Sequence, residues 1–326
     1  MTLSTRLTQR FGIVHPIISA PMAFAAGGRL AAAVTAAGGL GLIGGGYGDA
    51  VWLEAAWREA GNAQVGCGFI TWSLHKRPEL LDLVLEHRPR AIFLSFGDPE
   101  PFAAQVKSAG VPLVCQVQTR RDAEHALDCA ADVIVAQGSE AGGHGEMRST
   151  LTLVPEIADL IAAKSPHTLL CAAGGVGDGR GLAAALMLGA DGVLVGSRLW
   201  ASQEANVGER MHAAALAATG DDTIRSQVMD LARKLDWPSR YTARVLRNTY
   251  TERWHGREAE LLAVADEEAA KYRAAWAQGD PENSNTFVGE VVGLIQAIEP
   301  AGDIVERMVR EAERLLHAGS QFSARQ

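Results

Sequence analysis

Short runs rich in Val, Ile and Leu alternate with longer Ala-rich stretches over the first 197 residues. The short runs are apolar at nearly every position, which is typical of strands buried on both faces of a parallel sheet. The Ala-rich stretches between them have the length and composition of helices. The eight predicted strands cover 16–20, 39–43, 65–70, 91–96, 112–117, 132–137, 168–173 and 192–197. The seven predicted helices between them cover 27–37, 49–60, 77–86, 99–109, 119–130, 154–164 and 178–188.

The regular succession of eight strand–helix units predicts an α/β fold, a (β/α)8 barrel of the TIM type. A doubly wound open sheet is the alternative for strands that alternate with helices. Eight strands in series, with no break in the rhythm, favour closure of the sheet into a barrel.

The alternation stops after the eighth strand, and helical patterns follow over 209–219, 222–232 and 257–278. A last helix over 302–318 has an apolar face and the position expected for the eighth helix of the barrel. We therefore expect a helical insertion after strand eight. The barrel would comprise 1–202 and 286–326, and residues 203–285 would form a lid or substrate domain over the barrel mouth. A plain structural extension is the other interpretation of this segment.

Composition and charge limit the partners and the cellular location that we expect for this protein. The chain of 326 residues carries a formal net charge of −8, so a nucleic-acid partner is not expected. Its four cysteines form no Cys-x-x-Cys pair and lie in apolar runs, which predicts buried, reduced thiols. The most apolar stretch, 31–46, contains six glycines and is too short for a membrane span, and the polar start lacks a signal core. We expect a cytoplasmic protein without a membrane partner.

Two glycine-rich loops follow the last two predicted strands, at the end of a barrel where phosphate groups usually bind. Gly174 and Gly175 have no Cβ, so the backbone can approach a ligand closely. Their N–H groups, with those of Gly196 and Ser197, can point at phosphate oxygens. A tight turn before a helix is the alternative reading of the two adjacent glycines. The loops contain neither a GxGxxG fingerprint nor a Walker lysine, so the sequence supports neither a dinucleotide Rossmann site nor a P-loop.

His144 follows strand six and lies among Gly142, Gly143 and Gly145. We expect this histidine to face the cavity, because the glycines have no side chains to bury it. Proton transfer or anchoring of an anion is one interpretation, and stabilisation of the loop is the other. Glu140 lies four residues before His144, but the glycines argue against a helix and no third ligand is evident, so no metal site is predicted.

Catalytic groups are otherwise scarce in the predicted loops. The chain has no G-x-S-x-G elbow and no paired carboxylates at the strand ends. A phosphate site with one histidine therefore suggests that a cofactor performs the chemistry, and FMN, with a single phosphate, fits best. A lyase, an isomerase or a binding protein for a phosphorylated ligand is the non-redox alternative.

Several segments are similar to one known family. They read PIISAPM at 16–22, AAVTAAGGLGLIG at 32–44, QGSEAGGHGE at 137–146, AAGGVGDGRGLAAALMLGADGVLVGSR at 172–198 and FVGEVVGLI at 287–295. The sequence resembles the nitronate monooxygenases, formerly called 2-nitropropane dioxygenases, which are FMN-containing TIM-barrel flavoproteins. The EAGGH loop followed by the Gly-Gly loop is also shared with a flavin enoyl reductase of fatty-acid synthesis and with flavin NADH:quinone reductases of the same superfamily.

The resemblance implies roles for individual residues. His144 matches the catalytic histidine held near the reactive edge of the flavin. The implied cofactor contacts fall into two groups, with Gly68 apart from both. Those at the ring and the ribityl chain are Pro21, Met22, Ala23, Gln116, Gln137, Gly142 and Gly143. Those at the phosphate are Ala173, Gly174, Gly175, Gly196 and Ser197. Gly68 stands where the family has an asparagine, so it would contribute backbone only, and nearby Trp72 would either wall the pocket or be a buried structural residue.

The activity that the resemblance implies is oxidation of nitronates by oxygen to a carbonyl compound and nitrite. The substrate would be an alkyl nitronate, propionate 3-nitronate or the parent nitroalkane, with oxygen as the second substrate. An NAD(P)H-dependent flavin reductase of quinones or enoyl thioesters is the alternative, because nicotinamide can stack on a flavin without a fingerprint of its own. Ala-rich helix faces would allow a homodimer.

Overall fold

A computed structural model describes residues 3–319 and contains a closed parallel sheet of eight strands. The strands are β1 Ile17–Ser19, β2 Leu42–Gly44, β3 Gly66–Ile70, β4 Ile92–Ser95, β5 Leu113–Val117, β6 Val133–Gln137, β8 Leu169–Ala173 and β9 Gly192–Val195. The last strand pairs with the first, and Leu40, just before β2, forms a parallel bridge with Ile18. All eight predicted strands and the barrel are confirmed.

Helices cover the outside of the barrel. They are α1 Arg6–Phe11, α2 Gly28–Ala36, α3 Ala50–Ala60, α4 Thr71–Leu74, α5 Glu79–Glu86, α6 Glu100–Ser108, α7 Arg120–Asp128, α8 Thr150–Lys164, α9 Gly179–Met187 and α10 Ser197–Trp200. Side chains cap several of them at the N-terminus, including Asp49 on α3, Thr119 on α7 and Asp178 on α9. The final helix, α16 Ala301–Ala318, packs against α9 and α2, as predicted for the eighth helix of the barrel.

Two buried layers hold this architecture together. The barrel interior is filled by side chains such as Phe93, Leu42 and Val135, which alternate along the strands with side chains that face the helices. The second layer lies between strands and helices and includes Leu30, Leu153 and Ile304. Because both faces of each strand are buried, the barrel strands are apolar throughout.

The insertion after strand eight is present but is not purely helical. It contains α11 Glu209–Ala217, β10 Thr223–Ser226, α12 Val228–Arg233, β11 Thr242–Leu246, α13 Thr249–Trp254, α14 Glu258–Ala263 and α15 Ala265–Ala277. β10, β11 and β7 Gly143–Gly145 form an antiparallel sheet of three strands. The predicted helix over 222–232 is wrong in its first half, where β10 pairs with β11, and is confirmed in its second half, where α12 begins at Val228. The predicted helix over 257–278 is interrupted at Val264, where φ is −120°.

Two further features bear on the sequence analysis. Over residues 3–319 no helix is long and apolar enough to cross a membrane. The four cysteines are free thiols, as predicted. Cys67, Cys115 and Cys171 are buried, which raises the pKa of each thiol, but Cys129 is only partly buried, so the prediction of burial is wrong for Cys129.

Gly28 tests how closely the barrel helices pack. A Cβ at Gly28 would lie 1.9 Å from the Ala56 carbonyl oxygen on α3, whereas a Cβ at Gly302 on α16 meets nothing closer than 3.7 Å. We expect Gly28→Ala to lower the free energy of unfolding by about 1–3 kcal/mol through overpacking. Gly302→Ala should raise it by about 0.5–1 kcal/mol, because alanine favours the helix. Urea unfolding of both variants checks this, and equal effects would contradict the packing argument.

Candidate active site

A cavity of about 770 Å³ lies at the carboxyl ends of the barrel strands, under the insertion. This size is in the range of cofactor sites. Most of the predicted site residues line it: Pro21, Met22, Ala23, Gln116, Gln137, Gly142, Gly143, His144, Ala173, Gly174, Gly175, Gly196 and Ser197. The structure therefore brings together residues from strand ends one, five, six, seven and eight of the barrel.

One end of the cavity is formed by backbone. Gly174 and Gly175 have φ values of +95° and +73°, and a Cβ at Gly174 would lie 2.9 Å from the Gly138 carbonyl oxygen. Glycine is thus required here both by conformation and by space. The Asp178 side chain accepts hydrogen bonds from the first amides of α9, at Arg180 and Gly181. An anion in this end must therefore use the N–H groups of the glycine loops, rather than those of α9.

The loop after β6 is fixed by close backbone contact with the segment that returns to the barrel. A Cβ at Gly142 would lie 2.5 Å from the Val288 carbonyl carbon, and a Cβ at Gly289 would lie 2.4 Å from the Glu140 carbonyl oxygen. The Glu140 carboxylate accepts hydrogen bonds from the Thr150 amide at 3.0 Å and the Thr150 hydroxyl at 2.9 Å. The Glu140 carboxylate is therefore held at the first residue of α8.

Glutamines occupy the middle of the cavity wall. The side-chain oxygen of Gln137, Oε1, accepts from Gln116 Nε2 at 3.1 Å and from Gln118 Nε2 at 2.8 Å. Because protein donors already occupy this oxygen, Gln137 would meet a ligand through its side-chain nitrogen, which donates hydrogen bonds.

Gly68 and Trp72 lie behind the wall. Gly68 is not among the described residues that line the cavity, and a Cβ there would lie 2.4 Å from Pro21 Cγ. Its position supports Pro21, so a direct cofactor contact at Gly68 remains a prediction without structural support. The Trp72 ring packs 5.3 Å from the Trp237 ring and 6.1 Å from the Tyr47 ring, both of which line the cavity. Its position fits the structural interpretation.

His144 faces the cavity from a strand and is not on an open loop. It lies on β7 opposite Ala243 of β11, and only 8% of the residue is exposed. Its ring stacks on Trp237 with a centroid distance of 3.4 Å and an interplanar angle of 6°. Its Nε2 lies 2.8 Å from Asp230 Oδ2, and Asp230 is 3% exposed. The expectation that the glycines leave this histidine bare is therefore wrong, because the insertion covers it.

Burial and the carboxylate act on His144 in opposite directions. Burial lowers the pKa of His144, the larger effect, and the hydrogen bond with Asp230 raises it in part. The ring is therefore neutral near pH 7. Since a carboxylate only accepts hydrogen bonds, Nε2 carries the proton and Nδ1 presents a lone pair. His144, oriented by Asp230, can thus act as a base through Nδ1.

Sequence reasoning missed the partners of His144. Asp230, Arg233 and Trp237 come from the insertion, 86 or more residues away along the chain, and no local motif marks them. Phe96 at the end of β4 has φ of +60° and packs 6.2 Å from the His144 ring. A non-glycine residue in this conformation has a structural cost, but the sequence does not reveal it.

The chain is similar to known proteins over most of its length. A sequence profile described as nitronate monooxygenase matches residues 4–64 and 52–311. The chain belongs to the nitronate monooxygenase family. It is 33% identical to a nitronate monooxygenase of Neurospora crassa over 94% of this chain and 92% of that one. It is also 33% identical to nitronate monooxygenase npaC of Metarhizium robertsii, over 92% of this chain and 91% of that one.

The fold has a solved counterpart as well. The structure of FabK from Thermotoga maritima matches with a TM-score of 0.86 and 29% identity, over 98% of this chain and 100% of that one. The nitronate monooxygenase family consists of flavin-dependent oxidoreductases that act on small molecules, so this chain is an enzyme of that class. The glycine loop at Gly174 and Gly175 and the apolar side chains of Pro21 and Met22 in the same cavity fit a flavin.

Gly174 offers a test of where the flavin binds. We expect Gly174→Ala to weaken flavin binding about tenfold or more, because the shifted loop loses hydrogen bonds to a charged group. Gly189→Ala is the matched control: its φ of +96° imposes similar backbone strain at the end of α9. Absorbance per polypeptide after dialysis measures the flavin retained. Equal retention in the two variants would place the flavin elsewhere.

Proposed function

We propose that the protein uses FMN to oxidise nitronates with oxygen, releasing a carbonyl compound and nitrite. The substrates would be alkyl nitronates or propionate 3-nitronate. The observation that carries the proposal is the buried His144–Asp230 pair, which faces a flavin-sized cavity with one backbone-lined end. Membership of the nitronate monooxygenase family supports the reaction class.

FMN is the flavin that the cavity favours. Ala173, Gly174 and Gly175 would hold one phosphate together with Gly196 and Ser197 from the next loop. The Ser197 hydroxyl already accepts from the Gly289 amide at 2.8 Å, so its own proton is available for a phosphate oxygen. Because Asp178 already accepts from the first amides of α9, this end of the cavity offers one group of backbone N–H donors. One group of donors matches a single phosphate.

In this proposal the bound flavin supplies the electron acceptor for the nitronate carbon. His144 Nδ1, which carries the lone pair, would take the α-proton from a neutral nitroalkane. Asp230 keeps the proton on Nε2 and balances the charge that the ring gains. The rings of Trp237, Phe96 and Phe287 around His144 exclude water from the reacting carbon.

An NAD(P)H-dependent flavin reductase of quinones or enoyl thioesters is the second candidate. The likeness to FabK over the whole chain keeps it open.

Turnover decides between the two candidates. We expect the FMN-loaded protein to consume oxygen and release nitrite with propionate 3-nitronate or ethylnitronate. In the absence of oxygen, we expect these nitronates to reduce the flavin faster than NADH does. An oxygen electrode, a nitrite assay and anaerobic stopped-flow absorbance provide the rates. Full flavin occupancy without nitronate turnover would overturn the proposal, and faster bleaching by NADH would favour the reductase.

Asp230→Asn tests the positioning of His144. With neutral nitroethane, which must lose a proton, we expect kcat/KM to fall about 10²- to 10⁴-fold; with preformed ethylnitronate the loss should be much smaller. Because Asp230 raises the pKa of His144, the remaining activity should begin at lower pH in the variant. The pH profile of kcat/KM with both substrates measures this.

Asp236→Asn is the matched control, since Asp236 lies on the same segment but is exposed and pairs with Lys76. It should leave both rates unchanged. Equal losses with both substrates in Asp230→Asn would assign Asp230 a purely structural role.

A further inference from the structure

A cluster of metal-ligating side chains lies outside the cavity of the proposed reaction, where the loop after β4 meets α7. Asp98 lies in that loop, Glu100 is the first residue of α6, and His125 lies on α7. One ligand atom from each of these three residues lies within 4.8 Å of the other two. An imidazole beside two carboxylates is a donor set that suits a divalent ion of the zinc class.

The His125 ring faces two further ligand atoms through one nitrogen. Its Nε2 lies 2.7 Å from Asp98 Oδ1 and 4.0 Å from Sγ of Cys129, four residues further along the chain. Because zinc–ligand distances are about 2.0–2.3 Å, two ligand atoms around a tetrahedral zinc lie roughly 3.3–3.7 Å apart. An ion bound to Nε2 would therefore fit between the carboxylate and the sulfur after small rotations of the side chains.

The cluster borders a second cavity, of about 330 Å³, which lies between the barrel and residues 238–241 of the insertion. Asp98 and His125 line this cavity together with Gln118, which is only 2% exposed. Gln118 Nε2 donates to Gln137 at 2.8 Å, and Gln118 Oε1 has no partner within the described residues. This buried oxygen can accept a hydrogen bond from water bound to a metal ion.

The carboxylates of the cluster are short of cationic partners. Among the residues that the structure describes, Asp98 forms an ion pair only with His125, and the Glu100 carboxylate forms none. Asp128 on the same helix adds a third carboxylate that acts on His125. Arg240, the guanidinium in the wall of the second cavity, is already paired with two other carboxylates. A divalent ion would supply the positive charge that this side of the barrel lacks.

We propose that Asp98, Glu100 and His125 bind a divalent ion of the zinc class beside the Cys129 thiol. The ion would cross-link the start of α6 to α7 and leave its other coordination positions to water. None of the three ligands is among the described residues that line the cavity of His144. The site is therefore separate from the proposed oxidation, and its test does not depend on turnover.

Calorimetric titration of metal-free, flavin-loaded protein with zinc, calcium or magnesium chloride tests the proposal. We expect one zinc ion per chain, bound at least about tenfold more tightly than calcium or magnesium, because imidazole favours zinc. His125→Gln and Glu100→Gln should each weaken zinc binding at least about tenfold, since loss of a group that only supports a ligand already costs 10- to 100-fold. Both variants should fold, because glutamine can still donate to Asp98 and the Glu100 carboxylate has no partner to lose.

His87→Gln is the matched control, because His87 forms a similar pair with Glu54 on the outside of the barrel. Within the described residues no third ligand completes a metal site there. The variant should bind zinc as the wild-type protein does. Equal zinc affinity in His125→Gln and the wild-type protein would overturn the proposal, because the ion would then bind elsewhere, for example at His144. The absence of saturable zinc binding to the wild-type protein would overturn it as well.

Alkylation of Cys129 locates the ion by a second measurement. Cys129 is partly exposed and the other three thiols are buried, so iodoacetamide should modify Cys129 first. We expect zinc to slow this modification about tenfold or more in the wild-type protein, because the bound ion blocks access to the thiol, and to have little effect in His125→Gln. Peptide mass spectrometry gives the rates. Zinc binding that leaves Cys129 as reactive as before would place the ion elsewhere and overturn the proposal.

Discussion

The hydrogen bond between His144 and Asp230 joins the two parts of the molecule that form the cavity. His144 belongs to the loop after the sixth barrel strand, and Asp230 belongs to the insertion. Both groups are almost fully buried, and removing one partner of a buried hydrogen bond costs about 1–3 kcal/mol, more where the group left behind is charged. The pair therefore keeps the insertion closed over the barrel at the same time as it sets the proton position on the imidazole.

The other features of the site depend on this closure. Trp237 can stack on the imidazole only because α12 and the segment after it lie across β7. Arg233 lies beside the cavity because it follows Asp230 by three residues on the same short helix. The barrel side of the cavity differs, because at Gly174 and Gly175 the wall is formed by backbone and not by side chains. The barrel end of the cavity is thus lined by backbone, and the insertion end by aromatic rings and a guanidinium.

Much of this architecture could be predicted from the sequence. Strands buried on both faces appear in the sequence as continuous apolar runs. Loops that need a positive φ or a close approach of backbone atoms appear as glycines, as at Gly142 and Gly174. The partners of His144 could not be predicted, because contact between β7 and β11 depends on pairing across about 100 residues. β10 was mistaken for a helix because four residues are too few for a period of two to stand out. The role of Gly68 was missed because it acts through Pro21.

The central claim is that one cavity holds a flavin with its phosphate at the glycine loops and its ring beside His144. A crystal structure of the FMN complex tests this most directly. The account predicts phosphate oxygens within hydrogen-bond distance of backbone N–H groups at Gly175 and Ser197, with His144 still bound to Asp230 and facing the ring. A phosphate bound elsewhere, or a ring separated from His144 by the insertion, would contradict it.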